Sequence, residues 1–154
     1  MDDKITMTKE QLFKVMRLNE QETKKEENIN TTSNSGLKGM VSSLLHSQTQ
    51  VHIFHLQTKS YSEHKALQGY YEGIDTLVDG IIESYQGKYD IIKNYDSIKT
   101  EDYKSSEQVI NYFKSLDTMI ISARKEVKES YLQNQIDTVQ ELIYSTLYKL
   151  RFLK

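Results

Sequence analysis

Three of the four histidines in this 154-residue chain lie in one stretch, HIFHLQTKSYSEH, running from His52 to His64. Imidazole is a borderline ligand for first-row transition metals and carboxylate a hard one, so acids within reach of these rings are the next residues to find. Asp79 and Glu83 stand at i and i+4, which on a helix puts both carboxylates on one face, and Asp75 extends that row by a turn. His52, His64, Asp79 and Glu83 form the candidate ligand set. Without a thiolate, the set suits iron, with manganese or zinc in its place. Spacing alone leaves a second reading open, in which the acids are a solvated helix face and the histidines belong to a turn. His55, one turn after His52, reads as a packing residue or as a second-layer donor behind the ligands, a role also open to Asp75. His46, more than a turn before His52, reads as structural or exposed.

The elements that must position these residues follow from hydrophobic periodicity. Residues 1–34 form an N-terminal arm. It carries a marginal helix to about Asn28, opened by a capping box of Thr8 and Gln11, and then a polar linker, NINTTSNSG. From residue 35 to 154 the pattern is stronger. Leu37, Met40, Val41, Leu44, Leu45, Gln48, Val51, His52 and His55 follow the i, i+3, i+4, i+7 rule and predict a helix ending near Thr58. After the turn KSYSE, a second stripe runs from Leu67 to Tyr85, with Gly87 as its C′ stop. Gly69, Gly73 and Gly80 fall inside that helix, where each costs stability unless close packing needs it. Residues 88–104 read as irregular, with a short helical turn around Ile91, Ile92 and Tyr95. Ser105 and Gln108 cap a third helix with the stripe Val109, Tyr112, Phe113, Leu116, Met119, Ile120, Ala123 and Val127. A fourth starts near Asp137, with Gln140 at N3, and carries Val139, Leu142, Ile143, Leu147, Leu150 and Leu153. No strand pattern competes. The expected fold is all-α, a four-helix bundle with a crossover segment between helices two and three.

Composition narrows the function classes. Cysteine is absent, which removes disulfides, thiolate ligands and thiol nucleophiles and fits a reducing, cytoplasmic setting. A formal net charge of −2 gives no basic field for nucleic acid. No apolar run approaches the length of a membrane span, and MDDKITMTKE lacks a signal-peptide core, so the expected protein is soluble and unsecreted.

The three intervals separating His52, His64, Asp79 and Glu83 resemble those of the DNA-protection-during-starvation (Dps) branch of the ferritin-like family. LLHSQTQVH is similar to the end of that family's first helix, IDTLVDGIIES to its D-x-x-A-E-R segment, and DTVQELIYSTLYKLRFL to its last helix. The resemblance spans Leu37 to Leu153 and is motif-specific only in its first half. It implies an intersubunit site, with His52 and His64 from one subunit and Asp79 and Glu83 from its two-fold mate. It also implies a dodecameric shell in which iron(II) is oxidised by peroxide or oxygen and stored as ferric iron. Departures are Ile53 in place of the family's tryptophan, Gln57 in place of a glycine, Ile82 and Ser84 around the glutamate, and Gln68 in place of an acid. The other ferritin-type site needs Glu-x-x-His pairs in the bundle core. None exists, because Ser43, Thr49, His52 and Tyr61 precede the four histidines by three positions.

DNA binding, which the Dps name suggests, has little support. The arm carries six Lys or Arg against seven Asp or Glu, a net −1, and so neutralises few phosphates. It suits packing on a shell or a protein partner better. HLQTKSYSEHKAL is also similar to ferritin-like proteins encoded by tailed phages, which implies the alternative of a non-catalytic helical assembly or docking protein, part of a virion or acting in the host cell.

Overall fold

The computed structural model describes residues 8–153 and, within them, the side chains of all but residues 9, 11, 12 and 22–35. The chain is all-α. Its helices are α1 (Lys9–Gln57), α2 (Tyr61–Lys88), α3 (Ser106–Glu126) and α4 (Ser130–Phe152), and no strand occurs among the described residues. The chain divides into two compact units, residues 1–34 and 35–154. In the first, the described side chains Phe13, Val15, Met16 and Leu18 are all exposed. The capping box expected of Thr8 and Gln11 lies outside the described side chains. Where NINTTSNSG reads as a linker, the backbone is helical. No proline interrupts it, and Asn, Thr and Ser each weaken a helix by under about 0.7 kcal/mol relative to Ala, which lowers helicity without forbidding it.

In the second unit, α1 from Leu37 onward shares one core with the other three helices. Met40, Leu44, Val51 and Phe54 of α1 meet Leu67, Tyr70, Ile74 and Ile81 of α2, Phe113 and Ile120 of α3, and Leu132, Ile136 and Ile143 of α4. At the centre, the Tyr70 ring stands edge-on to Phe113 with centroids 4.7 Å apart. Ser47 Oγ donates to the Leu44 carbonyl at 2.6 Å, so the Tyr70 hydroxyl, 2.8 Å away, must be the donor to Ser47. Burial pushes the Tyr70 phenol far above its usual range and keeps it protonated for that bond.

Helix direction follows from the connections. Three residues, Thr58–Ser60, turn α1 into α2, and three more, Val127–Glu129, turn α3 into α4. Between α2 and α3 runs a strap, residues 89–105, held along α1. Asp96 N–H donates to Ser42 Oγ, Glu101 N–H to Gln50 Oε1, and Tyr103 N–H to Gln57 Oε1. Ser42, Gln50 and Gln57 are eight and seven residues apart, which is one face of a helix. Fifteen helical residues rise about 22 Å, and the seven residues from Asp96 to Tyr103 span about 23 Å when extended, so the two lengths match. The strap therefore returns the chain to the end where α2 began. There α3 starts parallel to α2, and α4 comes back antiparallel.

Several element ends differ from the periodicity-based expectation. KSYSE is not a turn throughout. Ser60 is the N-cap of α2, its Oγ accepting from Glu63 N–H, so Tyr61, Ser62 and Glu63 form the first turn. Gly87 is not the C′ stop. The helix runs through Lys88 and ends at Tyr89, and Gln86 Oε1 then captures Ile92 N–H. The helical turn expected near Ile91–Tyr95 is extended strap, with Asn94 at φ 58°. The fourth helix begins seven residues before Asp137, at Ser130. Asp137 does not cap it but forms a bidentate pair with Arg124 across the α3–α4 hairpin, with Nη2 to Oδ2 at 2.8 Å. Ser105 caps α3 as its sequence predicts, accepting from Gln108 N–H.

Candidate functional site

Two i,i+3 positions at the end of α1 and one at the start of α2 bring three histidines together. His55 and His64 stack face to face, with centroids 3.6 Å apart and planes 24° from parallel. Each ring nitrogen Nδ1 meets the other residue's carbonyl, His55 Nδ1 to His64 O at 2.8 Å and His64 Nδ1 to His55 O at 2.9 Å. A carbonyl only accepts, so in each neutral ring Nδ1 carries the proton and Nε2 keeps its lone pair. Neither Nε2 has a protein partner among the described residues. His55 is 7% exposed and sits between the other two. Its ring is 5.8 Å from His52 and edge-on to Tyr71 at 5.1 Å. His52 is exposed and lies flat on Tyr71, with centroids 4.3 Å apart and planes within 20°.

Asp75, Asp79 and Glu83 are exposed on α2, and none of the three has an ion pair among the described residues. Fifteen helical residues separate His64 from Asp79, about 22 Å of axial rise, and Glu83 lies about 6 Å further on. No side chain bridges that distance. Accordingly, no group of three or more His, Cys, Asp or Glu among the described residues could hold a metal ion within one chain. The structure brings His52, His55 and His64 together and keeps the carboxylates apart from them.

His46 is half-buried. It lines a cavity of about 350 Å³ between α1, the strap and α3, whose other walls include Phe54, Ile98, Tyr112 and Met119. Its Nδ1 is 3.5 Å from the Tyr112 hydroxyl. Burial lowers its pKa, against a smaller opposing pull from the Lys99 carbonyl. Tyr112 is pushed up, first by burial and then by Tyr70.

Glu63 is the residue that periodicity missed. The residue is 5% exposed, and Oε2 accepts from Thr58 Oγ1 at 2.8 Å, Tyr103 OH at 3.0 Å and Ser106 Oγ at 3.0 Å. One oxygen thus ties the end of α1, the start of α2, the end of the strap and the start of α3. No lysine or arginine pairs with it among the described residues. The N-termini of α2 and α3 converge on it instead, and their dipoles favour a negative charge there. The signal was present as the capping-box pattern Ser60-x-x-Glu63. The box is altered, because Thr58 Oγ1 takes the Ser60 N–H and frees the Glu63 side chain for the other three donors.

Residues 55–150 match the model of a family of unknown function, DUF5856. The chain belongs to that family. The DUF5856 match includes the His55–His64 pair, Glu63, Asp79 and Glu83, and leaves His46 and His52 outside. No curated protein and no solved structure matches the chain. Among the described residues, no helix is long and apolar enough to cross a membrane.

Proposed function

We propose that this DUF5856 member is a ferritin-like four-helix bundle that takes iron(II) as substrate at an interface between two copies. One copy supplies His52 and His64, and its mate supplies Asp79 and Glu83. The observation that carries the reading is the split of the donor set, with His64 at the start of α2, His52 of α1 against Tyr71 about two turns on, and exposed carboxylates, without an ion pair among the described residues, about 22 Å from His64. Each half alone is too small to hold an ion. An antiparallel two-fold mate crossing α2 near residues 71–74 would set the start of one helix against the carboxylates of the other. The donor chemistry fits. Imidazole Nε2 lone pairs suit ferrous iron and carboxylates suit ferric iron, with manganese or zinc as competitors. Helix order supports the reading as well, since a single long crossover between helices two and three is the ferritin-like arrangement. Oxidation at such an interface by peroxide or oxygen, with ferric product stored in a shell of copies, is what the Dps resemblance adds.

Anaerobic titration of the purified protein with iron(II), followed by oxygen or peroxide, tests this directly. Bound iron and growing ferric absorbance are expected, and their absence rules the reading out.

A second reading, a non-catalytic assembly or docking protein, is favoured by one observation. Tyr144, Tyr148 and Phe152 form an exposed row at i, i+4, i+8 on α4. If that row carries the function, replacing Phe152 and Tyr148 by Ser changes particle size in scattering while His64→Ala changes nothing.

A further inference from the structure

Resting on the metal reading above, we propose that His55 is the positioning residue of the histidine half-site, holding the His64 ring in the tautomer whose Nε2 is free to bind a metal. Three observations combine. First, the reciprocal Nδ1-to-carbonyl bonds join residues nine apart across the α1–α2 turn, so each ring clamps the backbone that orients the other. Second, the 3.6 Å stack gives His64 a flat support on one side and removes its freedom to rotate. Third, His55 also packs edge-to-face with Tyr71, on which His52 lies flat, so one buried ring touches both the half-buried His64 and the support of the exposed His52. His55 itself is 7% exposed, which suits support better than ligation. A free histidine ring exchanges between two tautomers, whereas a ring whose Nδ1–H is held by a carbonyl presents Nε2 alone. Such support behind a ligand is worth on the order of tenfold to a hundredfold in metal affinity.

The test uses the full chain, labelled with ¹⁵N, at about pH 8, where an ordinary imidazole is neutral. Long-range ¹H–¹⁵N correlation without metal should show His64 protonated on Nδ1 and bare on Nε2. A wild-type His64 protonated on Nε2 overturns the proposal, and this needs no variant to fold. His55→Ala keeps the main-chain carbonyl that accepts from His64 Nδ1 but removes the stacked ring and its bond to the His64 carbonyl, so the His64 ring should lose its fixed placement, read as averaged ring resonances, and bind Co²⁺ at least about tenfold more weakly. His55→Asn, whose amide still donates to the His64 carbonyl, should recover much of both. A His55→Ala protein that melts lower but keeps the wild-type His64 ring resonances and Co²⁺ affinity marks a plain structural clasp and overturns the proposal. Failure of the wild type to bind any Co²⁺ overturns the metal reading separately, since the tautomer is read without metal.

Discussion

At the scale of single residues, the buried polar groups make the sharpest predictions because each has a countable set of partners. Tyr70 donates to Ser47, and Ser47 donates onward to Leu44. Ser47→Ala therefore leaves a fully buried hydroxyl without an acceptor and should cost about 1–3 kcal/mol. Tyr70→Phe leaves Ser47 still bonded and should cost under about 1.5 kcal/mol. Urea unfolding of the two variants checks the order, and the reverse order would mean that the hydroxyls point the other way. Asp137 makes a pH prediction. The two hydrogen bonds from Arg124 hold its carboxyl below the usual carboxylate range. A depressed folded-state pKa adds stability above the unfolded value of about 3.9, which is lost as pH falls through the folded value. The stability gap between wild type and Asp137→Asn should be level from about pH 5 to 7 and close below about pH 4. The pair is half-exposed, so the gap should be small at any pH.

At the scale of elements, α2 and Glu63 dominate. Gly73 and Gly80 lie in α2 on the side facing α4, where close packing would be a reason for them. Yet a Cβ at Gly73 would lie 3.5 Å from Leu142 Cδ2, and one at Gly80 would lie 3.6 Å from Gln135 Nε2, both ordinary contacts. Alanine fits at both. Gly73→Ala and Gly80→Ala should each stabilise the protein by about 0.5–1 kcal/mol, read as a higher urea midpoint. Gly36 differs, because a Cβ there would collide with the Glu126 carboxylate unless that side chain moved. Glu63→Ala removes the acceptor for three hydroxyls at the meeting point of α1, α2, the strap and α3. Bonds to a charged group contribute about 1.5–3 kcal/mol each. Losing all three should cost at least about 3 kcal/mol, with hydrogen exchange of residues 101–106 rising first. Protection of the strap unchanged in that variant would show that the Gln50 and Gln57 bonds hold it unaided.

At the scale of the whole molecule, the split donor set makes a prediction that no single-chain site shares. Mixing a His52→Ala/His64→Ala protein with an Asp79→Ala/Glu83→Ala protein under conditions of subunit exchange should restore metal binding. Half of the resulting dimers are mixed, and each mixed dimer has one complete site, so about a quarter of wild-type capacity is expected. No restoration after demonstrated exchange would rule out a site shared between two copies. The exposed carboxylates carry no ion pair among the described residues, so the acidic variant should fold as stably as the wild type, which circular dichroism and thermal melting can check.

The all-α class and the stripes of α2 and α3 were legible in the sequence because apolar residues at helical spacing must find a core, and no proline or strand pattern competes. Ser105 with Gln108 and the end of α1 were legible for the same local reason. The helix starts at Ser60 and Ser130 were not. The first hides in a polar stretch whose capping box looked like a turn. The second was set by a three-residue hairpin that put Leu132 and Ile136 into the core and turned Asp137 outward to Arg124. The histidine intervals were visible along the chain, as were the acids one turn apart. Only tertiary structure decided that His55 lies between His52 and His64 and that both clamped rings keep Nε2 free. The distance of about 22 Å from His64 to Asp79 follows instead from fifteen residues of rise along α2 itself. Sequence spacing measures distance along one helix, whereas a ligand set is made by distances between helices, and those are fixed by packing, by the strap and by the buried Glu63 carboxylate that joins them.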